Sequence, residues 1–154
     1  MSAGNVNAEL ERSPVGMGIS KISQWVEYGD LTVSSATGAI TLTQKLPVGA
    51  FAIGTKVTVT EGFTGDTSAT MTVGKSSGAD EFTDGTSVNV YTAATVGDSA
   101  EDPMEFIASE TSVCALVTTN ADFTSVSAGK MFIEVFYLSS VLELGRGHPT
   151  KYDL

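Results

Sequence analysis

The stretch Leu46 to Gly74, LPVGAFAIGTKVTVTEGFTGDTSATMTVG, constrains the fold more than any other part of the chain. Val57 and Val59 sit two apart, as do Phe51 and Ile53, while Lys56, Thr58 and Thr60 point the other way. Period-2 alternation rich in β-branched residues is the mark of a half-buried strand. Gly62, Gly65 and Asp66 interrupt it, and Ala69, Met71 and Val73 resume it with Thr70 and Thr72 outward. The stretch therefore reads as two strands and the turn between them. Gly54, inside the first strand, predicts a bulge or sharp bend, because it has no side chain to pack.

The same grammar runs on either side. Ile19 to Val33 is strand-like with a turn at Gly29-Asp30, Ser34 to Gly38 is a loop, and Ile40 and Leu42 alternate with Thr41 and Thr43 before a turn at Pro47-Val48-Gly49. Lys75 to Gly85 is a polar loop around Phe82, Ser87 to Thr92 a short strand, and Ala93 to Pro103 an acidic loop. Strands are expected over Met104 to Ala108 and Ser112 to Thr118, then a loop from Asn120 to Gly129. Lys130 to Leu138, KMFIEVFYL, is apolar on both faces except for Glu134, so it is expected to be central and covered on both sides. Phe132, Phe136 and Leu138 should share one face and Met131, Ile133, Val135 and Tyr137 the other, with Phe136 buried.

Eight or nine short strands and no convincing helix predict a single all-β domain, an antiparallel β-sandwich of jelly-roll type, with a closed barrel as the alternative. A chain of 154 residues is one domain by length. Its parts are an N-terminal arm (1–18), a β-sandwich (19–141) and a C-terminal arm (142–154). The arms are polar, broken by Gly and Pro, and read as extended; ten such residues reach roughly 33 Å, enough to cross a subunit boundary.

Charge and residue types narrow the chemistry. Eighteen acidic against eight basic residues give a net charge of −10, which argues against nucleic acid, since phosphate binding needs clustered Lys and Arg. The excess serves solubility or attracts a positively charged partner. There is no apolar run of membrane-spanning length and no signal-peptide pattern, so cytosol-like conditions are expected. The one cysteine, Cys114, lies among Val113, Ala115, Leu116 and Val117 and reads as a small core residue, with no disulfide to make.

No catalytic, cofactor-binding or metal site is expected. Nucleophilic catalysis wants a positioned base, and the one histidine, His148, lies in the C-terminal arm. Two acidic groups, Asp98, Glu101, Asp102 and Glu105, and Asp80, Glu81 and Asp84, have the oxygen chemistry of a calcium site without the spacing of an EF-hand. They read as solvated loops, and as carboxylate pairs for glycoside hydrolysis they are unselective. Trp25, Tyr28, Phe63, Phe82, Tyr91 and Tyr152 are the aromatics with possible surface positions; Trp25, the one tryptophan, is expected to pack in the core.

The Leu46–Gly74 stretch, followed by the GADEFTDG loop and the final KMFIEVFYL strand, resembles small β-sandwich virion proteins of tailed bacteriophages. There a run LPxGAxxxGxxVxVTxxFTGGTSATLTVG recurs. The likeness covers Gln44 to Leu138; Asp66 stands where the pattern has a second glycine, and both arms are peculiar to this chain. The resemblance implies a non-enzymatic structural protein of the virion, assembled in the host cytoplasm. A capsid decoration (cement) or accessory head protein is the form it suggests, homo-oligomeric in the assembly. Its partners would be the major capsid protein or other virion subunits, with no nucleic acid, membrane or cofactor. The alternative is a host-attachment or carbohydrate-binding module, which an exposed aromatic platform would favour.

Overall fold

In the computed structural model the residues described are 19–83, 88–102 and 104–138. They form nine strands: β1 (Ile19–Glu27), β2 (Thr32–Ser34), β3 (Thr37–Leu46), β4 (Phe51–Glu61), β5 (Ala69–Gly74), β6 (Ala94–Ser99), β7 (Glu105–Phe106), β8 (Thr111–Thr119) and β9 (Lys130–Leu138). One sheet has the order β1-β9-β4-β6, with β7 also on β4; the other has the order β2-β3-β8-β5. All pairings are antiparallel.

The pairs nest: β1 with β9, β3 with β8, and β4 with β6. That is a long hairpin rolled into two facing sheets, the jelly roll. The innermost rung is made by loop bonds, Phe63 N–H to the Val90 carbonyl (2.9 Å) and the Asn89 amide to the Thr67 carbonyl (3.0 Å). The Leu46–Gly74 stretch is therefore no hairpin. β4 and β5 lie in opposite sheets, and the turn between them crosses the sandwich.

Alternation fills the core. Ile22 and Val26 of β1, Val57 and Val59 of β4, and Met131, Ile133 and Val135 of β9 face Leu42, Met71, Val73, Val113, Ala115 and Val117 of the other sheet. Phe63, Phe82 and Phe123, carried on loops, are buried as well and close the sandwich. Their large side chains need partners that a thin two-sheet core leaves room for at its ends, so Phe63 and Phe82 are not surface aromatics.

Gly54 does what its lack of a side chain predicts. The β4–β9 register slips between Ala52 and Gly54, and a Cβ there would run into the Asp98 carbonyl of β6. The slip reverses the phase of β4: Val57 and Val59 point inward, yet Phe51 points outward and Ala52 takes the inward place. The expectation that Phe51 and Val57 share a face fails for that reason.

Other boundaries shift. Ser34 to Gly38 shrinks to a tight turn between β2 and β3, with Ser35 at φ 54°. Ala94–Ser99, expected as loop, is an edge strand; its side chains stay largely exposed, so no apolar alternation marks it, and backbone pairing to β4 alone defines it. Val88 to Thr92 is irregular rather than a strand, although Val88 and Val90 are buried. The Met104–Ala108 strand reduces to two residues. Cys114 is not in the core: Val113 and Ala115 take the inward positions of β8, leaving Cys114 half-buried outside, with Sγ 3.4 Å from Thr41 Oγ1. Both expected arms (1–18 and 142–154), residues 139–141 of the expected sandwich, residues 84–87 (Asp84 among them) and Pro103 lie outside the described residues.

Candidate functional site

β9 is central, between β1 and β4, as its apolar sequence predicts. Its two faces differ in fate. Met131, Ile133 and Val135 are fully buried, whereas Phe132, Phe136 and Leu138 are half-buried on the outer side, where no further layer of the described residues covers them. This outer face is the most distinctive surface of the molecule.

Register assembles it from three strands. Trp25 lies opposite Phe132, Lys21 opposite Phe136, and Lys56 opposite Glu134. The Trp25 and Phe132 rings meet at 4.7 Å, tilted by 36°, a cross-strand aromatic pair. Lys130 Nζ stands 5.2 Å from the Trp25 ring centre, and Lys21 Nζ about as close to Phe132 (5.9 Å) and Phe136 (6.0 Å), within cation–π range. At one end Phe51 pairs with Phe106 at 5.1 Å. Trp25 keeps 51% of its surface exposed, Phe106 52% and Ile19 63%. Trp25 is thus an outer-face residue and not a core one, because Ile22 and Val26 hold the inward phase of β1.

Glu134 sits in the middle of this face, with only 4% of its side chain exposed. Its Oε1 accepts from Lys21 Nζ at 2.5 Å and its Oε2 lies 2.9 Å from Lys56 Nζ. Burial pushes the carboxyl upward, but hydrogen bonds and charge from both ammonium groups outweigh it and hold Glu134 below the ordinary glutamate value. Lys130 faces Glu27 at 3.6 Å. The face is thereby apolar, aromatic and nearly neutral. Sequence reasoning missed this triad; its signal was a lone carboxylate inside KMFIEVFYL, which no apolar strand carries without partners.

The acidic groups lie elsewhere, and two of their members, Glu81 and Glu105, are tied up locally. Lys75 Nζ meets Glu105 Oε2 at 2.5 Å, Glu81 Oε2 accepts from the Lys75 backbone N–H at 3.0 Å, and Glu101 N–H bonds the Glu81 carbonyl at 3.2 Å. One lysine thus joins both acidic loops, and its hydrogen bond to Glu105 raises its own pKa. Among the described residues no three His, Cys, Asp or Glu side chains converge to hold a metal. His148 and Tyr152 lie outside the described residues. Tyr28 is exposed and Tyr91 half-buried, its hydroxyl pKa raised by burial. No described helix is long and apolar enough to cross a membrane.

The edges of the sandwich are unequal. Gln44 Oε1 accepts from Ser23 N–H (3.1 Å) and Gln24 Oε1 from Thr43 N–H (2.8 Å), stitching β1 to β3 across the sheets. These bonds occupy part of the β1 edge. β6, at the other end of the same sheet, has no such cover among the described residues.

No protein-family model and no curated protein matches the chain. Among solved structures it is similar to a chain of the cyanophage Pam1 capsid asymmetric unit, with a TM-score of 0.58 and 19% identity over 80% of this chain and 86% of that one. A chain of the acidic stable capsid structure of Helicobacter pylori bacteriophage KHP30 aligns with a TM-score of 0.42 and 17% identity, over 75% and 92% of the two chains. At such identity the first likeness is one of fold.

Proposed function

We propose that this protein is a non-enzymatic structural component of a phage virion, a capsid decoration or cement protein. In this reading it binds the shell and neighbouring subunits through its two arms and the edges of its sandwich. The observation that carries the reading is the jelly roll itself, shared with a chain of a phage capsid over four-fifths of this sequence. A half-exposed aromatic sheet face, where an enzyme would show a cleft with converging polar groups, agrees with it. The test is removal of residues 1–18 or 145–154. Each deletion should leave the sandwich folded, with its melting temperature nearly unchanged, and abolish incorporation into the particle. Full incorporation of both truncated forms overturns the role of the arms; absence of the full-length protein from purified particles overturns the virion reading.

A second reading, a carbohydrate-binding module, draws support from exposed Trp25, since sugars stack on open aromatic rings. Phe132 and Lys130 lie against that ring, which leaves less of it open. Titration with a glycan array separates the two.

A further inference from the structure

We propose that the outer face of the β1-β9-β4 sheet is a self-association surface, on which a second copy of this chain packs by the same face about a two-fold axis. The proposal goes beyond the virion reading and does not depend on it.

Charge selects the occupant. The chain carries a net −10, so two copies repel each other over most of their surface. This face is the exception. Of the five described lysines, Lys21, Lys56 and Lys130 all lie here, and each is already paired, to Glu134 or Glu27. A basic partner would be drawn to the acidic loops instead, and an acidic partner finds no lysine of this face, among the described residues, free of a carboxylate. What remains is a surface of exposed aromatic and aliphatic side chains whose lysines are paired within the face, complementary to another of its kind. A two-fold contact lets the same patch serve both sides.

Size fits a weak, reversible dimer. Three strands of nine residues rising ~3.3 Å each and ~4.8 Å apart offer on the order of 430 Å² per copy. Two such faces come to about 860 Å², in the range of transient interfaces. Trp25, on the edge strand β1 beside Phe132, is the kind of exposed aromatic anchor on which such contacts are built.

Trp25 is also the one tryptophan, so its fluorescence reports this face alone. The full chain would be followed by sedimentation equilibrium and by emission wavelength across a thousandfold concentration range. The expected result is a monomer–dimer equilibrium with a blue shift that tracks dimer formation. Trp25→Glu and Ile19→Glu should each raise the dimer Kd at least tenfold. Thr70→Glu, exposed on β5 of the other sheet, should leave it unchanged. Both altered residues are exposed, and circular dichroism with the melting temperature verifies folding; Ile19→Glu also retains the fluorophore. A wild type that stays monomeric throughout overturns the proposal, as does an oligomer unmoved by either variant or one whose emission stays that of exposed tryptophan. A monomer that still enters particles leaves the virion reading standing, so the two fail separately.

Discussion

Lys21 on β1 and Glu134 on β9 sit diagonally across neighbouring strands, and their charged atoms meet at 2.5 Å on the outer face of the sandwich. Lys56 approaches the same carboxylate from β4, so one buried charge ties three strands together. Lys21 and Lys56 keep nearly half of their side chains in water, and the carboxylate keeps almost none. The cost of losing this arrangement therefore falls on the glutamate. In Glu134→Ala both lysines can turn to solvent, and the loss of two charge-assisted bonds is expected to lower stability by about 1–3 kcal/mol. Denaturant unfolding at pH 7 measures it; a change below about 0.5 kcal/mol would show that the triad is ornamental.

The same carboxylate gives stability a pH dependence. Its folded pKa is lowered, so its contribution is fully present above the ordinary value of 4.5 and is lost as pH falls through the folded value. Melting temperature should drop in that acid range in the wild type, and the drop should be smaller in Glu134→Gln. Protonation also leaves Lys21 and Lys56, the groups that face it from β1 and β4, without a counter-charge. The blue-shifted tryptophan emission should therefore revert toward longer wavelength over the same interval. Identical acid profiles for wild type and Glu134→Gln would sink this assignment.

Lys75 behaves in the opposite sense. Its pKa is raised above 10.5, first by the hydrogen bond to Glu105 and then by neighbouring charge against some burial, so its contribution holds below 10.5 and fades as pH rises beyond. The side chain is about one-third exposed, which limits the effect to roughly 1 kcal/mol or less. Lys75→Met should free the two acidic loops from each other, seen as faster amide exchange over residues 75–83 and 99–105. Because Glu105 and Glu81 are already held by Lys75 and its backbone, and no three carboxylates converge among the described residues, millimolar calcium or a chelator should move the melting temperature by less than a degree. A real site at a hundredfold excess over its Kd would add about 2.7 kcal/mol, too much to miss.

Legibility followed the alternation. β4, β5 and β8, with one apolar phase, and β9, apolar on both faces, could be placed from residues alone, and so could the bulge at Gly54. β6 could not, because its pairing is backbone to backbone and Thr95, Gly97 and Ser99 carry no hydrophobic phase. Which strands face each other was also hidden, since adjacent runs such as β4 and β5 look like a hairpin until the rolled topology separates them. Trp25 and Cys114 misled for a common reason. A residue among apolar neighbours was read as buried, when alternate neighbours such as Val26 and Val113 hold the inward phase. Glu134 was visible as an oddity, but Lys21, 113 residues away, could not be assigned to it without the register.

Gly54 offers a backbone test. Gly54→Ala places a methyl against the Asp98 carbonyl, which is backbone and cannot turn aside. The β4–β6 pairing must shift, at an expected cost of about 1–3 kcal/mol. Amide exchange should quicken over residues 94–99 and not over β8. Uniform exchange with unchanged stability would mean that the bulge tolerates a side chain.

The last test separates folding from association on a single strand. Ile133 is fully buried between the sheets, and Ile133→Ala should cost about 2–5 kcal/mol, a large fraction of the 5–15 typical of a domain. Phe136 was expected from sequence to be buried too, and the 3–5 kcal/mol of a buried phenylalanine would then apply. It lies instead on the outer face, half-buried beside Lys21, with no second layer above it among the described residues. The area removed from water by folding is correspondingly smaller, so Phe136→Ala should cost the monomer about 1–2 kcal/mol. Its larger effect should appear in sedimentation, where the dimer Kd rises, while the melting temperature of the dilute monomer falls far less than in Ile133→Ala. If Phe136→Ala destabilises the dilute monomer as severely as Ile133→Ala, the outer face belongs to the fold itself, and its aromatics are covered by the chain's own residues.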